Sequence, residues 1–157
     1  MQARKRNRKN GFDYTTNAIY FLTVCCANRN SYFGSIENDE MQLNEYGKVA
    51  EQQIEWLVQR YSYMVMHHFV VMPNHVHLLI EIAEQEVEHT LLKIKSVSQL
   101  VGAFKTTTSK IIHRMGNVEF YWQRSFHDHI VRTSESYNRI YDYISDNPRR
   151  WNDDSLK

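Results

Sequence analysis

The chain has 157 residues, 42% of them hydrophobic and 24% charged, which suits one ordinary core and is too short for two comfortable ones. Its formal net charge is +1, and no stretch approaches the roughly 18 uncharged apolar residues of a membrane span. The N-terminus is basic without the apolar run of a signal peptide, and the only two cysteines, Cys25 and Cys26, are adjacent on a strand-like run and would point to opposite faces. A disulfide framework and a paired cysteine metal site are excluded, and a soluble cytoplasmic protein with no membrane partner is expected.

Charge is unevenly placed. Arg4, Lys5, Arg6, Arg8 and Lys9 are five of the 19 basic residues, leaving 14 against 18 acidic ones in the rest of the chain. Residues 1–12 therefore read as a cationic tail, either a solubilising terminus or a contact for nucleic-acid phosphates, and 13–157 as the domain.

Asn17 to Asn28 is rich in aromatic and β-branched residues and predicts a first strand, with Met41 to Leu43 as a short edge strand. From the N-cap Asn44, Tyr46, Val49, Ala50, Ile54 and Leu57 follow helical spacing. Tyr63 to Met72 is almost continuously apolar apart from His67 and His68, as in a strand covered on both faces, and Pro73-Asn74 turns it into a strand over His75 to Ala83. After the acidic connection at Glu84, Glu86 and Glu88, an apolar stripe from Val97 to Met115 predicts a helix ending at Gly116. Phe120 to Arg132 predicts another strand, and Ser134 caps a last helix that Pro148 stops. The order βαββαβ plus a C-terminal helix predicts an α+β, ferredoxin-like (RRM-like) antiparallel sheet. Such a sheet carries binding modules and enzymes alike.

Alternation on the third strand puts His75, His77, Leu79 and Glu81 on one face and Val76, Leu78, Ile80 and Ile82 on the other. The two histidines, about 6.5 to 7 Å apart at Cα, can converge on one ion, although His-x-His needs a third ligand to mean that. A tight turn at Pro73-Asn74 pairs Met72 with His75, Val70 with His77 and His68 with Leu79, whereas a one-residue slip substitutes His67. His68 then faces solvent, supports the metal ligands from behind or contacts DNA.

On the last helix, Tyr137, Ile140, Tyr141 and Ile144 make the core stripe. Tyr143 and Asn147, four residues apart, share a flank where the helix meets the sheet, so a phenol and a carboxamide can serve one site. Their bland reading is a surface tyrosine and a capping asparagine. His127-Asp128-His129 repeats the His-x-His pattern on the fourth strand, either as a polar face near DNA or as support for the site. Lys105, Lys110, Arg114, Trp122, Arg124, Arg149, Arg150 and Trp151 could track phosphate and stack bases, as single-strand binders require.

His75-Val76-His77 resembles the "HUH" motif, and Tyr143-Ile-Ser-Asp-Asn147-Pro148 looks like the tyrosine motif of the REP-associated tyrosine transposases, the IS200-like single-tyrosine HUH family. The likeness extends to Asn44-Glu45-Tyr46-Gly47, to Met72-Pro73-Asn74 and to Trp122 through His129, and so runs from about Asp13 to the C-terminus. It implies an enzyme that nicks and rejoins single-stranded DNA carrying a hairpin or palindromic repeat. Tyr143 would be the nucleophile, and His75, His77 and Asn147 would hold a divalent cation, Mg²⁺ or Mn²⁺ in preference to Zn²⁺. Arg4, Lys5, Arg6, Lys105, Trp122, Arg124, Arg149 and Arg150 are the candidate DNA contacts, with His68, His127 and His129 behind the site. Asn147 stands where insertion-sequence relatives carry glutamine, and monomer and homodimer both stay open.

Two other classes compete. A non-catalytic RRM-like module would bind single strands by stacking and charge, but the aromatic-glycine signature of that class is missing. A zinc hydrolase would draw on the histidines of both strands, but no H-E-x-x-H spacing is present.

Overall fold

The computed structural model describes residues 18–83 and 94–157. The basic tail with Arg4, Lys5 and Arg6 and the acidic connection at Glu84, Glu86 and Glu88 lie outside the described residues. In chain order the elements are β1 (Ala18–Cys25), β2 (Gly34–Glu37), β3 (Glu40–Leu43), α1 (Glu45–Arg60), β4 (Met64–Met72), β5 (His75–Ile82), α2 (Val97–Arg114), β6 (His127–Val131) and α3 (Ser134–Asp146).

Four strands form one antiparallel sheet in the order β4-β5-β1-β6. Placing the first and third core strands at the centre is the ferredoxin-like arrangement expected. β2 and β3 form a separate two-stranded hairpin, so Met41 to Leu43 belongs to that hairpin and not to the edge of the main sheet.

The two faces of the sheet are covered by different helices. Leu22, Val24, Val76, Leu78 and Ile80 face α1 and α2, whose Val49, Ile54, Leu57, Leu100, Phe104 and Ile112 complete the larger core. On the opposite face Ile19, Leu79 and Val131 meet Tyr137, Tyr141 and Ile144 of α3. The strand buried along its whole length is β5. β4 was expected to be covered on both faces but lies at the sheet edge, where Val65, Met66, Phe69 and Val70 stay half-buried.

The Asn-Glu-Tyr-Gly stretch is structural. The Asn44 side chain caps α1 by accepting from the amides of Tyr46 and Gly47, each at 2.9 Å, and donates to the Tyr32 carbonyl. Gly47 lets the Phe33 backbone close on α1: a Cβ there would stand 2.2 Å from the Phe33 carbonyl oxygen. Phe33 in turn donates its amide to the Pro73 carbonyl, and Cys26 donates to the Asn74 carbonyl. The turn that presents His75 is thus tied to both β1 and the base of α1.

Two boundaries differ from expectation. Only His127–Val131 of the predicted Phe120–Arg132 strand is regular. Trp122 makes an isolated bridge to Cys26, while Thr23 pairs with His127, so three steps along one chain answer five along the other. The slack is held by Lys105, whose ammonium takes up the carbonyls of Gln123 (2.6 Å) and Ser125 (3.4 Å) that a strand would have paired. The cap of α3 is Thr133 and not Ser134: its hydroxyl accepts from the Ser136 amide at 3.0 Å.

Candidate active site

The hairpin register is as expected, with Met72 opposite His75, Val70 opposite His77 and His68 opposite Leu79. His75 and His77 are both buried, and their Nε2 atoms face each other at 3.1 Å. The outer nitrogen of each ring is held. His75 Nδ1 donates to Asn74 Oδ1 at 2.7 Å, and that amide is oriented by Nδ2 donating to the carbonyls of Leu156 (2.6 Å) and Arg29 (3.4 Å). The acceptor at Nδ1 leaves a lone pair on His75 Nε2. His77 Nδ1 lies 2.9 Å from Thr23 Oγ1, with the Leu22 carbonyl also in reach, which favours the same tautomer.

Burial keeps both rings neutral. It pushes the His75 pKa down to about 4 against a smaller opposing pull from Asp154 and Asn147. It pushes His77 well down too, and the neighbouring His75 adds to the effect. Two lone pairs that converge on one point repel unless an electrophile lies between them. Asn147, also buried, supplies a third donor, since its Oδ1 has no hydrogen-bond partner among the described residues. Two imidazole nitrogens and an orphaned amide oxygen fit a cation. Among the described residues no three His, Cys, Asp or Glu side chains gather into a metal cage by themselves.

The C-cap of α3 is Asn147, and one turn back Tyr143 emerges from the same flank. Its ring meets His77 edge-on at 5.4 Å and Phe21 at 6.2 Å, while Phe21 stacks on His77 at 5.1 Å. Tyr143 is 37% exposed and borders a cavity of about 260 Å³ with Asn147, Arg150, Asp153, Asp154 and Ser155. Partial burial, reinforced by the Asp154 carboxylate, raises its pKa, and Asn147 opposes the rise. The phenol is therefore neutral at ordinary pH and reaches into an open polar cavity.

The other predicted residues are spread around this centre. His68 bonds Ser145 Oγ through Nε2 at 2.8 Å and stacks on Tyr141 at 4.3 Å, gripping α3 two residues from Tyr143. His127 and His129 pair with Thr23 and Phe21, which puts them on the site's face of exposed β6. Arg149 is exposed and paired with Asp146 at 3.3 Å, whereas Arg150 borders the tyrosine cavity. Lys105 and Arg124 border a separate groove with Phe126. Trp122 packs on Phe33, Phe104 and Phe120 and donates its indole N–H to the Lys105 carbonyl, so its ring belongs to the core edge.

Three participants were not assigned from sequence. Thr23 and Asn74 orient the imidazoles, and only the strand register could have found Thr23. Asp154, seven residues beyond Asn147, had no periodic signal because the chain between them turns through a 3-10 segment at Trp151–Asp153.

Comparison with known proteins fits this geometry. The family described as "Transposase IS200 like" matches residues 14–147. The chain belongs to the IS200-like transposases. It is 34% identical to an uncharacterized protein of Haemophilus influenzae, over 98% of this chain and 92% of that one. It is 26% identical to a second H. influenzae protein named "Putative REP-associated tyrosine transposase", over 87% of this chain and 73% of that one. Its fold resembles the structure of a REP-associated tyrosine transposase bound to a REP hairpin, with TM-score 0.62 and 21% identity over 85% of this chain and 68% of that chain. A "putative transposase" of Deinococcus radiodurans gives TM-score 0.54 at 17% identity, over 87% of this chain and 95% of that chain. Among the described residues no helix is long and apolar enough to cross a membrane.

Proposed function

We propose that this transposase nicks and rejoins hairpin-bearing single-stranded DNA through a phosphotyrosine on Tyr143, with a divalent cation held by His75, His77 and Asn147. The observation that carries the reading is the meeting, within one chain, of two neutral imidazoles 3.1 Å apart, an orphaned amide oxygen and a tyrosine ring packed against one of those imidazoles. Tyr143 accordingly acts in cis.

The bound cation supplies Lewis-acid polarisation of the scissile phosphate, and two imidazoles with a neutral amide and open positions suit Mg²⁺ or Mn²⁺. Asn74 and Thr23 fix the imidazole tautomers. Phe21 and His77 hold the Tyr143 ring edge-on, so the hydroxyl is presented into the cavity without a large entropic cost on attack. In the nicking step the Tyr143 oxygen bonds phosphorus as its proton leaves, the bond from phosphorus to the 3′ oxygen breaks, and that oxygen is protonated. The strand then carries a free 3′ hydroxyl on one side and a 5′ phosphotyrosine on the other. Attack by a 3′ hydroxyl reverses these steps and returns the phenol, so the phosphodiester energy is conserved and no nucleotide is consumed.

Arg150, beside the nucleophile, and Arg149 with the β6 face at His127 and His129 are the natural path for the flanking strand, with Lys105 and Arg124 beyond it. Incubation with Mn²⁺ and a 3′-labelled hairpin-forming strand should yield labelled protein resistant to denaturation. Tyr143→Phe should lose at least a thousandfold of that product while still retarding the strand in a gel. Attachment that survives Tyr143→Phe would remove the nucleophile from the proposal.

A further inference from the structure

We propose that the cavity beside His75, bordered by Arg29, Gln123 and His127, takes one unpaired nucleobase of the DNA strand, and that Arg29 and Gln123 make it selective for guanine. The inference rests on the single-strand reading above and deepens it, since it names residues that choose the sequence and take no part in the chemistry.

The cavity lies on the site's face of the sheet, one strand over from the histidines. It is lined by Cys25, which pairs with His75 across β1 and β5 and shares a face with Thr23 and Phe21. Asn74 and Leu156 also border it, so the C-terminal segment passes between two cavities, lining the tyrosine cavity with Asp154 and Ser155 and this one with Leu156. The volume is about 130 Å³, well below the roughly 300 Å³ at which pockets for drug-sized molecules begin. That suits one ring system and not a whole nucleotide.

The hydrogen-bonding groups around it divide into occupied and free. Asn74 is occupied, with Oδ1 accepting from His75 and Nδ2 donating to the carbonyls of Leu156 and Arg29. The side chains of Arg29, Gln123 and His127 have no hydrogen-bond or ion-pair partner among the described residues. Gln123 is held by its backbone alone, its amide donating to the Cys25 carbonyl at 2.8 Å and its carbonyl accepting from Lys105 at 2.6 Å. A guanidinium presents a fork of donors, which matches the paired O6 and N7 acceptors of guanine, and the Gln123 amide oxygen can accept from the exocyclic amine of the same base.

Backbone and charge agree with a recognition role. Arg29 and the preceding Asn28 both have φ of 57°, a left-handed conformation that glycine adopts without strain. The bend by itself therefore gives no reason for an arginine. Burial raises the Cys25 pKa, so the thiol lining the cavity is uncharged; Arg29 opposes that rise most, Asp154 adds to it and Lys105 opposes it. Two cations are thus felt beside a neutral surface, as suits a base on an anionic strand.

The test separates base reading from strand cleavage. Full-length protein carrying Tyr143→Phe, in chelator, is mixed with a hairpin-forming strand whose single-stranded flanks are randomised, and the strands it retains are sequenced. One flanking position should be enriched in guanine at least tenfold, the scale of discrimination by a bidentate pair. Adding Arg29→Gly, which suits the bend, or Arg29→Lys, which keeps the charge without the fork, should bring that enrichment below threefold; Gln123→Ala should reduce it partially. Arg29 meets Asn74 only through its carbonyl, so Mn²⁺ affinity should not change in either Arg29 variant. A flat profile at every position, or guanine enrichment that persists in Arg29→Gly, overturns the proposal. So does an equal loss of all sequences in Arg29→Gly, because the arginine would then hold phosphate and read no base. Failure of the wild-type protein to attach covalently to any strand in Mn²⁺ would instead overturn the cleavage reading, and the retained sequences would still decide this one.

Discussion

The two faces of the central sheet solve different problems with the same strands. On the α1/α2 face Val76, Leu78 and Ile80 of β5 meet Leu22 and Val24 of β1 in a continuous apolar layer. On the α3 face the same two strands present Leu79 and Ile19 at one end, packed on Tyr137, Tyr141 and Ile144, and His75, His77 and Thr23 at the other. Burial is equally complete on both, with Leu78 at 1% and His75 at 0% exposed. The apolar face stabilises, and that surplus lets the polar end hold unprotonated imidazoles in place without solvent. A site of this kind is preorganised because the opposite face of the same strand is ordinary core.

Neighbouring residues on β5 should therefore fail in opposite ways. His77→Ala should reduce covalent attachment of the labelled strand at least a thousandfold while the protein keeps its circular-dichroism spectrum. Leu78→Ala, one residue away and on the other face, should lose about 3 kcal/mol of unfolding free energy through the cavity it leaves. Per folded molecule, its attachment activity should remain within a few-fold of wild type. The comparison breaks if Leu78→Ala abolishes attachment at full stability, or if His77→Ala unfolds the protein.

Much of this division could be read from alternation. Once the turn at Pro73-Asn74 is fixed, period two assigns every residue from His75 to Ile82 to a face, and helical period assigns Tyr137, Tyr141 and Ile144 to the core and Tyr143 to the flank. What alternation cannot anticipate is a break in it. Between Met66 and His68 the β4–β5 register shifts, so that Met66 stands opposite Ile80 and His68, two residues on, opposite Leu79. As a result His67 and His68 both turn toward α3, where His67 joins Tyr137 Oη at 2.7 Å to Glu81 at 2.8 Å and His68 takes Ser145. Sequence offered the two histidines as alternatives, and the bulge uses both to seat the tyrosine helix. Irregular backbone hid the rest: the carbonyls captured by Lys105 shortened β6, and the turn after Asn147 carried Asp154 back over the site.

Acid should distinguish the two faces next. His75 and His77 have folded-state pKa values below the ordinary 6.5, His75 at about 4. Below 6.5 the unfolded chain binds protons that the folded chain does not. The stability these groups support is therefore complete above pH 6.5 and is lost as pH falls through the folded values, with His75 contributing on the order of 3 kcal/mol across that window. In chelator the urea midpoint should decline from pH 6.5 to 4. His75→Gln, which cannot titrate, should flatten the decline by about one proton, or about 1.4 kcal/mol per pH unit. A profile identical to wild type would mean that the imidazole is not held neutral. Leu78→Ala should lower the whole curve without changing its slope, because the substitution removes no titratable group.

The smallest expected effect is at Thr23, where β1 supports the site from the neighbouring strand. Thr23→Val keeps the shape of the side chain and removes the oxygen 2.9 Å from His77 Nδ1. The imidazole is not left without an acceptor, since the Leu22 carbonyl stays in reach, and a single neutral hydrogen bond contributes about 1 kcal/mol. Stability should therefore fall by no more than that. The loss should show instead in Mn²⁺ affinity, about tenfold weaker because His77 is freer to adopt the tautomer that buries its lone pair away from the ion. If affinity is unchanged, the Leu22 carbonyl is enough to fix the ring, and the polar end of the α3 face is organised by backbone and not by side chain. If affinity falls while the urea midpoint does not, Thr23 serves the ion and not the fold, which is the distinction between the two faces reduced to one hydroxyl.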